Sequence, residues 1–169
     1  IVLFLAVIAV AITSIGLRKY HRNQRSQVGL TEGLSAYEAG RWKDATSYLG
    51  PYLAINSNDI DILMKYAQSH IRIQLFKRAS LFQAINAYRV VLRLEDNEQA
   101  AGELVKLYLQ FGMPAEAELI TQRFLDKDPD GEFRQNLAVS LVRQRKYEQA
   151  LAVLMEMIER DPKQILGFK

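Results

Sequence analysis

The hexapeptide Gly40-Arg41-Trp42-Lys43-Asp44-Ala45 carries the pattern that decides the fold, because the same pattern returns later in the chain. It is repeated at Arg145-Lys146-Tyr147-Glu148-Gln149-Ala150: a turn residue, an aromatic residue two positions on, and an alanine three positions after that. At Gly112-Met113-Pro114-Ala115-Glu116-Ala117, proline replaces the aromatic residue. Ala84, followed four residues later by Tyr88, marks one more copy. The four alanines are separated by 39, 33 and 33 residues, so the chain is built from repeats, one of them longer.

This repeat resembles the tetratricopeptide repeat (TPR), a helix–turn–helix unit of about 34 residues. The resemblance covers residues 27–162. Small residues stand where the two helices of a TPR hairpin cross, and prolines stand where the second helix ends. The crossing positions are Gly33, Ala67, Val105 and Ala138, and the prolines are Pro129 and Pro162.

The resemblance implies an all-α fold, a right-handed solenoid of about four TPR hairpins. The repeats are expected at about 27–58, 59–97, 98–130 and 131–162. Apolar residues recur at helical spacing, and a hairpin that cannot bury such a stripe alone stacks on its neighbours. Helices are therefore predicted at 27–39, 42–55, 60–73, 80–94, 98–111, 114–127, 131–144 and 147–160. Residues 163–169 look like the start of a further repeat, so we expect the chain to continue.

Residues 1–17 form an apolar run that carries no charge. As a helix the run would span about 25 Å, slightly less than a hydrocarbon core of about 30 Å. A buried core helix would show a polar face, and a signal peptide would end in a small-residue cleavage site. The run has neither, so it predicts a single transmembrane anchor, in a bacterial inner membrane.

The juxtamembrane segment 18–26 contains four bases and no acid: Arg18, Lys19, Arg22 and Arg25. They are expected to bind anionic lipid headgroups. Positive flanking charge favours the cytoplasmic side for the repeats, and the periplasmic side stays open because a basic flank could precede Ile1. The whole chain carries a net charge of +3, so the remainder has a slight excess of acid. The missing basic stripe argues against nucleic acid as a partner.

No constellation of residues indicates catalysis, a cofactor, a metal or a small-molecule substrate. The sequence has no cysteine, and its glycines form no phosphate-binding loop. His21 and His70 lack metal-ligand spacing, and His70 is interpreted as a polar residue of the surface or groove. Asp126, Asp128 and Asp130 lack the later part of a calcium loop and are interpreted as solvated turn residues. The chain is therefore predicted not to be an enzyme.

In TPR proteins the first helix of each hairpin lines a concave groove that binds other proteins. Carried onto this chain, the groove positions combine apolar anchors with amide and cationic donors, although each could equally be an ordinary exposed residue. They are Tyr37, Met64, Gln68, Arg72, Lys106, Leu109, Gln110, Gln135, Val139 and Arg143, with Leu34 and Ile71 beside them. Such a surface suits an extended peptide or a partner helix, its cations meeting acidic side chains. The Lys and Asn pairing of the TPR clamp for chaperone tails is absent.

Three functions fit these features. The first is a membrane-anchored scaffold for protein–protein interaction within a larger membrane or envelope complex. The second is an assembly or quality-control adaptor that delivers clients to membrane machinery. The third is the regulatory arm of an enzyme whose catalytic part lies outside this sequence.

Overall fold

The structure is a computed structural model that describes residue 24 and residues 26–73, 78–128 and 131–160. These residues form eight α-helices, and the first, α1, includes residues 26–38. The others are α2 (Trp42–Leu53), α3 (Ile60–Arg72), α4 (Arg78–Leu94), α5 (Glu98–Gln110), α6 (Pro114–Phe124), α7 (Glu132–Arg143) and α8 (Tyr147–Arg160). A short 3-10 turn, Leu125–Lys127, extends α6. With that turn included, α2 to α8 begin and end within two residues of their predicted spans, and α1 ends within one residue of its predicted end.

The repeated turn residue has the same backbone conformation in all three copies of the hexapeptide. Gly40, Gly112 and Arg145 have φ values of 69°, 71° and 62°, in the left-handed region. In each copy the next residue donates its N–H to the carbonyl five positions back, which closes the preceding helix. These bonds join Arg41 to Ala36 (2.9 Å), Met113 to Tyr108 (2.8 Å) and Lys146 to Leu141 (2.9 Å). The sequence repeat is therefore a repeat of turn geometry.

The small residues of the pattern lie where helices approach closely. The four repeated alanines are buried, as are Ala67, Val105 and Ala138 at the predicted crossings. At Gly33 the approach is tightest, because an added Cβ would stand 2.4 Å from Cδ2 and 2.8 Å from Cγ of Leu49. Glycine at this position lets α1 and α2 cross in contact.

The chain divides into two compact units, with the boundary inside α4 between Ala84 and Ile85. In the first unit α2 packs on α3. Asp59 begins α3 by accepting a hydrogen bond from the backbone N–H of Ile62 (3.2 Å), and its other oxygen accepts one from the Tyr52 hydroxyl (2.7 Å). Asn56, in the loop before α3, donates to the Ser26 hydroxyl in α1 (3.1 Å). The bond between Tyr52 and Asp59 thus joins the first hairpin to the second, and Asn56 holds the loop between them against α1.

In the second unit α6 packs on both α5 and α7, α7 packs on α8, and α5 also contacts α7. The two helices of each hairpin therefore pack on each other, and the first helices of successive hairpins are also in contact. This is the packing order of stacked hairpins. Phe124 at the end of α6 stacks on Phe133 of α7, with ring centroids 5.5 Å apart. A smaller apolar cluster of Leu137, Leu141 and Ala150 joins α7 to α8.

Across the described ranges, no helix is both long and apolar enough to cross a membrane. The predicted anchor, residues 1–17, lies outside those ranges, as do Pro129, Pro162 and residues 163–169.

Candidate partner-binding surface

Helix α3 presents a row of polar side chains that the groove prediction only partly anticipated. Lys65, Gln68 and Arg72 are spaced by three and four residues, so they share one face of the helix. Arg72 is exposed, and the other two are half-buried. Met64, also predicted for the groove, is only 9% exposed and contributes to the core instead.

Two aromatic rings lie against this row. The Arg72 guanidinium lies over the Trp42 ring, 4.8 Å from its centroid, and the Lys65 amine lies 5.7 Å from the Tyr37 ring centroid. The two rings meet edge to face at 5.5 Å. The Tyr37 hydroxyl donates a hydrogen bond to Oε1 of Gln68. We call these five residues, Tyr37, Trp42, Lys65, Gln68 and Arg72, the α3 surface.

In the part of the chain that the structure describes, the cations of the α3 surface are not paired with acids. No carboxylate among the described residues lies within ion-pair distance of Lys65 or Arg72. Elsewhere in this unit, Asp44 pairs with Arg41 (3.2 Å), and Asp59 begins α3. The α3 surface therefore offers two positive charges supported by aromatic rings. Lys65 was not among the predicted groove residues, although its spacing from Gln68 and Arg72 could have revealed it.

The predicted groove cation Lys106, in the second unit, already has acidic partners. Its amine lies 3.0 Å from Glu132 at the start of α7 and 3.5 Å from Glu103 one turn away. The hydrogen bond with Glu132 is the main cause that raises the pKa of Lys106. The positive charge at this position therefore joins two helices of the protein.

Arg143, the third predicted cation, is also bound within the molecule. Its guanidinium donates to the backbone carbonyl of Leu109 near the end of α5, where helix carbonyls lack intrahelical partners. Leu109 itself is only 8% exposed. Gln110 and Val139 remain exposed and Gln135 is half-buried, and among the described residues the structure assigns these three no partner of the kind that binds the exposed side chains of Lys106 and Arg143.

A polar cavity of about 250 Å³ opens in the second unit, between the start of α5 and the start of α7. It was not anticipated from the sequence. Its lining is Glu98, Gln99, Gly102, Glu103, Lys106, Lys127, Asp128, Glu132 and Phe133. Within the described ranges, no group of three acidic or histidine side chains is arranged to hold a metal ion.

Asp128 corrects the interpretation of the three aspartates as solvated turn residues. Its side chain is only 3% exposed and accepts from the backbone N–H groups of Phe133 (3.1 Å) and Arg134 (2.9 Å). The Arg134 guanidinium, 12% exposed, pairs with the same carboxylate at 3.2 Å. Asp128 therefore satisfies the free N–H groups that begin α7. Asp126 is exposed as expected, and Asp130 lies outside the described residues.

The interpretation of His70 as a polar residue of the surface or groove was wrong, because its ring is packed against a neighbouring aromatic ring. The imidazole meets the Tyr66 ring edge to face, with centroids 4.5 Å apart. Both ring nitrogens are shielded from solvent without a hydrogen-bond partner among the described residues. Burial lowers the pKa of His70.

The predicted lipid-binding residues Arg18, Lys19, Arg22 and Arg25 lie outside the described residues. Their role stays a prediction from the sequence.

Comparison with known proteins supports the fold. No protein-family model matches the sequence, and no curated protein matches it. The solved structure of MamA MSR-1 C2 superposes with a TM-score of 0.60 at 17% identity, over 82% of this chain and 78% of that chain. The crystal structure of MamA protein gives a TM-score of 0.47 at 14% identity, over 87% of this chain and 97% of that chain. The first likeness, with the eight helices of the described residues, confirms an all-α, TPR-like fold.

Proposed function

We propose that this chain is a protein–protein interaction scaffold, which displays side chains to a partner protein and performs no chemistry itself. The observation that carries the proposal is the α3 surface, where two cations and an amide are held against aromatic rings without an acidic partner among the described residues. Aromatic and arginine side chains are the residues that contribute most to protein interfaces. The surface holds no carboxylate, thiol or imidazole that could act as a base or nucleophile, so binding is the activity it supports.

We further propose that the scaffold belongs to a membrane or envelope complex. The support is the uncharged apolar run of residues 1–17 and the four bases that follow it. A single helix with a basic flank would hold the first hairpin close to the lipid surface, with the repeats on the cytoplasmic side by the positive-inside tendency.

The test is affinity capture through the full chain from native membranes in a mild detergent, with quantitative mass spectrometry. A fixed set of proteins in stoichiometric ratio is expected. The matched comparison is between a variant with Lys65, Gln68 and Arg72 replaced by alanine and the control Lys43→Ala, which removes an exposed charge from α2. Partners should be lost only from the former.

Two results would count against the scaffold. A chain recovered alone would contradict the proposed function. Many clients at low ratio would instead favour the adaptor function.

A further inference from the structure

We propose that the α3 surface binds an extended acidic segment of the partner protein, whose two contacting carboxylates stand about 10 Å apart. This inference rests on the proposed function and adds the chemistry of the partner. It is carried by the placement of Lys65 and Arg72, not by the predicted groove as a whole.

Arg72 is prepared to receive a carboxylate. The guanidinium carbon lies over the Trp42 ring, 4.8 Å from its centroid, and this cation–π contact favours one position of an otherwise flexible side chain. A planar fork of donors held in one orientation matches the two oxygens of a carboxylate and loses little entropy on binding. No acid of the described residues competes for it.

Lys65 supplies the second point of contact and sets the spacing. It precedes Arg72 by seven residues, which is two turns and about 10 Å along the axis of α3. A peptide in the extended polyproline II conformation has three residues per turn and advances about 3.1 Å per residue, so acids three positions apart lie on one side and would reach both cations. The partner segment should therefore run along α3.

Gln68 lies between the two cations and completes the site. Its side-chain oxygen is occupied by the Tyr37 hydroxyl, which directs the amide NH₂ group away from that ring. No acceptor for that NH₂ group is found among the described residues. An extended peptide has backbone carbonyls between its side chains, and such a carbonyl is the natural acceptor.

The other predicted cations do not offer the same chemistry. Lys106 is neutralised by Glu132 and Glu103, and Arg143 is bound to the Leu109 carbonyl. Two cations flanked by aromatic rings and an amide also fall short of the stripe of bases that nucleic acid requires. The site is therefore specific for a short acidic stretch of protein.

The experiment measures the binding of a defined peptide to the full chain in mild detergent, by fluorescence anisotropy. The probe is a labelled twelve-residue peptide, Glu-Pro-Val repeated four times. Its prolines favour an extended conformation that places successive glutamates about 9 Å apart. The comparison peptides replace every Glu by Gln, or place the four glutamates consecutively at one end.

Binding of the spaced Glu peptide is expected, with no measurable binding of the Gln peptide. Arg72→Gln should weaken it about tenfold or more, and Lys65→Gln should weaken it about threefold to tenfold, as for charge-assisted hydrogen bonds at an accessible site. Arg72→Lys should lie between Arg72→Gln and the unchanged protein, because it keeps the charge and loses the planar fork. The matched control Lys43→Gln should bind as the unchanged protein does, and circular dichroism should show all variants folded.

Three results would overturn the inference: no binding of the spaced Glu peptide, equal binding of the Gln peptide, or equal losses in Arg72→Gln and Lys43→Gln. Equal binding of the clustered peptide would overturn the two-point spacing. If Arg72→Gln still captures stoichiometric partners from membranes, the acidic-segment inference fails and the scaffold stands. If no partner is captured by the unchanged chain, the scaffold fails whatever the peptide does.

Discussion

Arg145 occupies a backbone conformation that costs most residues energy. Its φ of 62° is close to that of Gly40 and Gly112 at the equivalent turns. Unlike glycine, arginine has a Cβ that crowds the backbone in this conformation, at a cost of about 1–2 kcal/mol. Arg145→Gly removes that strain, although glycine loses more entropy on folding. We expect the free energy of unfolding in urea to rise by about 1 kcal/mol.

Arg145→Ala is the control for that prediction, because it removes the same side chain and keeps the Cβ. It should give no gain. A glycine variant no more stable than the alanine variant would show that the turn is not strained at this residue.

His70 makes the stability of the fold depend on pH. Its folded-state pKa lies below the ordinary 6.5 because the ring is shielded beside Tyr66. Above that ordinary value the ring is neutral in both states. As the pH falls below 6.5, His70 becomes protonated in the unfolded chain. In the folded chain it stays neutral until the pH reaches its lower folded-state pKa. The free energy of unfolding should therefore decrease as pH falls from about 7 to about 5, a window set by the histidine value.

Urea denaturation at a series of pH values tests the role of His70. His70→Phe should make the curve flatter over that window, since it keeps an aromatic ring and removes the titration. His21→Gln, which removes the other histidine of the sequence, is the comparison variant. A slope that survives in His70→Phe would assign the pH dependence to another group.

At the scale of elements, the close crossing of α1 and α2 requires a residue without a Cβ at Gly33. An alanine Cβ would stand 2.4 Å from Cδ2 of Leu49, and Leu49 is fully buried and cannot swing into solvent. Overpacking of this kind costs about 1–3 kcal/mol, partly offset by the better helix propensity of alanine. We expect Gly33→Ala to lower the melting temperature.

Gly102 is the matched control, since it also lies inside a helix and an added Cβ there meets nothing within 4 Å. Gly102→Ala should stabilise the protein by about 0.5–1 kcal/mol. The two substitutions should thus change the melting temperature in opposite directions, and a shift of the same sign would mean that Gly33 is not a contact position.

The start of α7 depends on one buried ion pair. Asp128→Ala would remove the acceptor of two backbone N–H groups and leave Arg134, at 12% exposure, with only the more distant carboxylate of Glu156 at 3.8 Å. Loss of one partner of a buried pair costs about 3 kcal/mol or more. The exposed pair of Arg41 and Asp44 gives the comparison, because Asp44→Ala should cost less than about 1 kcal/mol. Denaturant midpoints of the two variants measure the difference, and similar midpoints would contradict the structural role of Asp128.

The helices could be read from the sequence because their signals are local. A turn residue, an aromatic or proline residue and a small residue at set spacing place both helices of a hairpin, and the left-handed φ of Gly40, Gly112 and Arg145 shows why. The partner surface could be read only in part. Whether Lys106 or Arg143 is available depends on Glu132 and on the Leu109 carbonyl, which stacking brings close from a neighbouring hairpin. Periodicity alone does not contain that information.

At the scale of the whole molecule, polar contacts join the side chains of each hairpin to the hairpin before it. In the second unit, Arg123 donates to the Leu92 carbonyl (3.1 Å), and Lys127 pairs with Asp96 (2.8 Å). Lys146 pairs with Glu118 at 2.7 Å, and this hydrogen bond is the main cause that lowers the pKa of Glu118. Each contact joins one hairpin to the next, as expected where stability is a sum over nearest neighbours.

We expect residues 1–17 to attach the whole chain to a membrane. An apolar helix that enters the hydrocarbon core should resist salt and alkaline washes and be released only by detergent. Deletion of residues 1–17 should leave a chain that binds only vesicles containing anionic lipid, through the four bases that follow.

Vesicle sedimentation of that shortened chain separates the two contributions. Each base near an anionic surface is worth about 1 kcal/mol, so Arg18→Gln with Lys19→Gln should weaken binding to phosphatidylserine vesicles roughly tenfold or more. Neutral vesicles should show no difference. If salt alone released the full chain, the apolar run would not be an anchor, and the scaffold would have to reach its membrane through a partner.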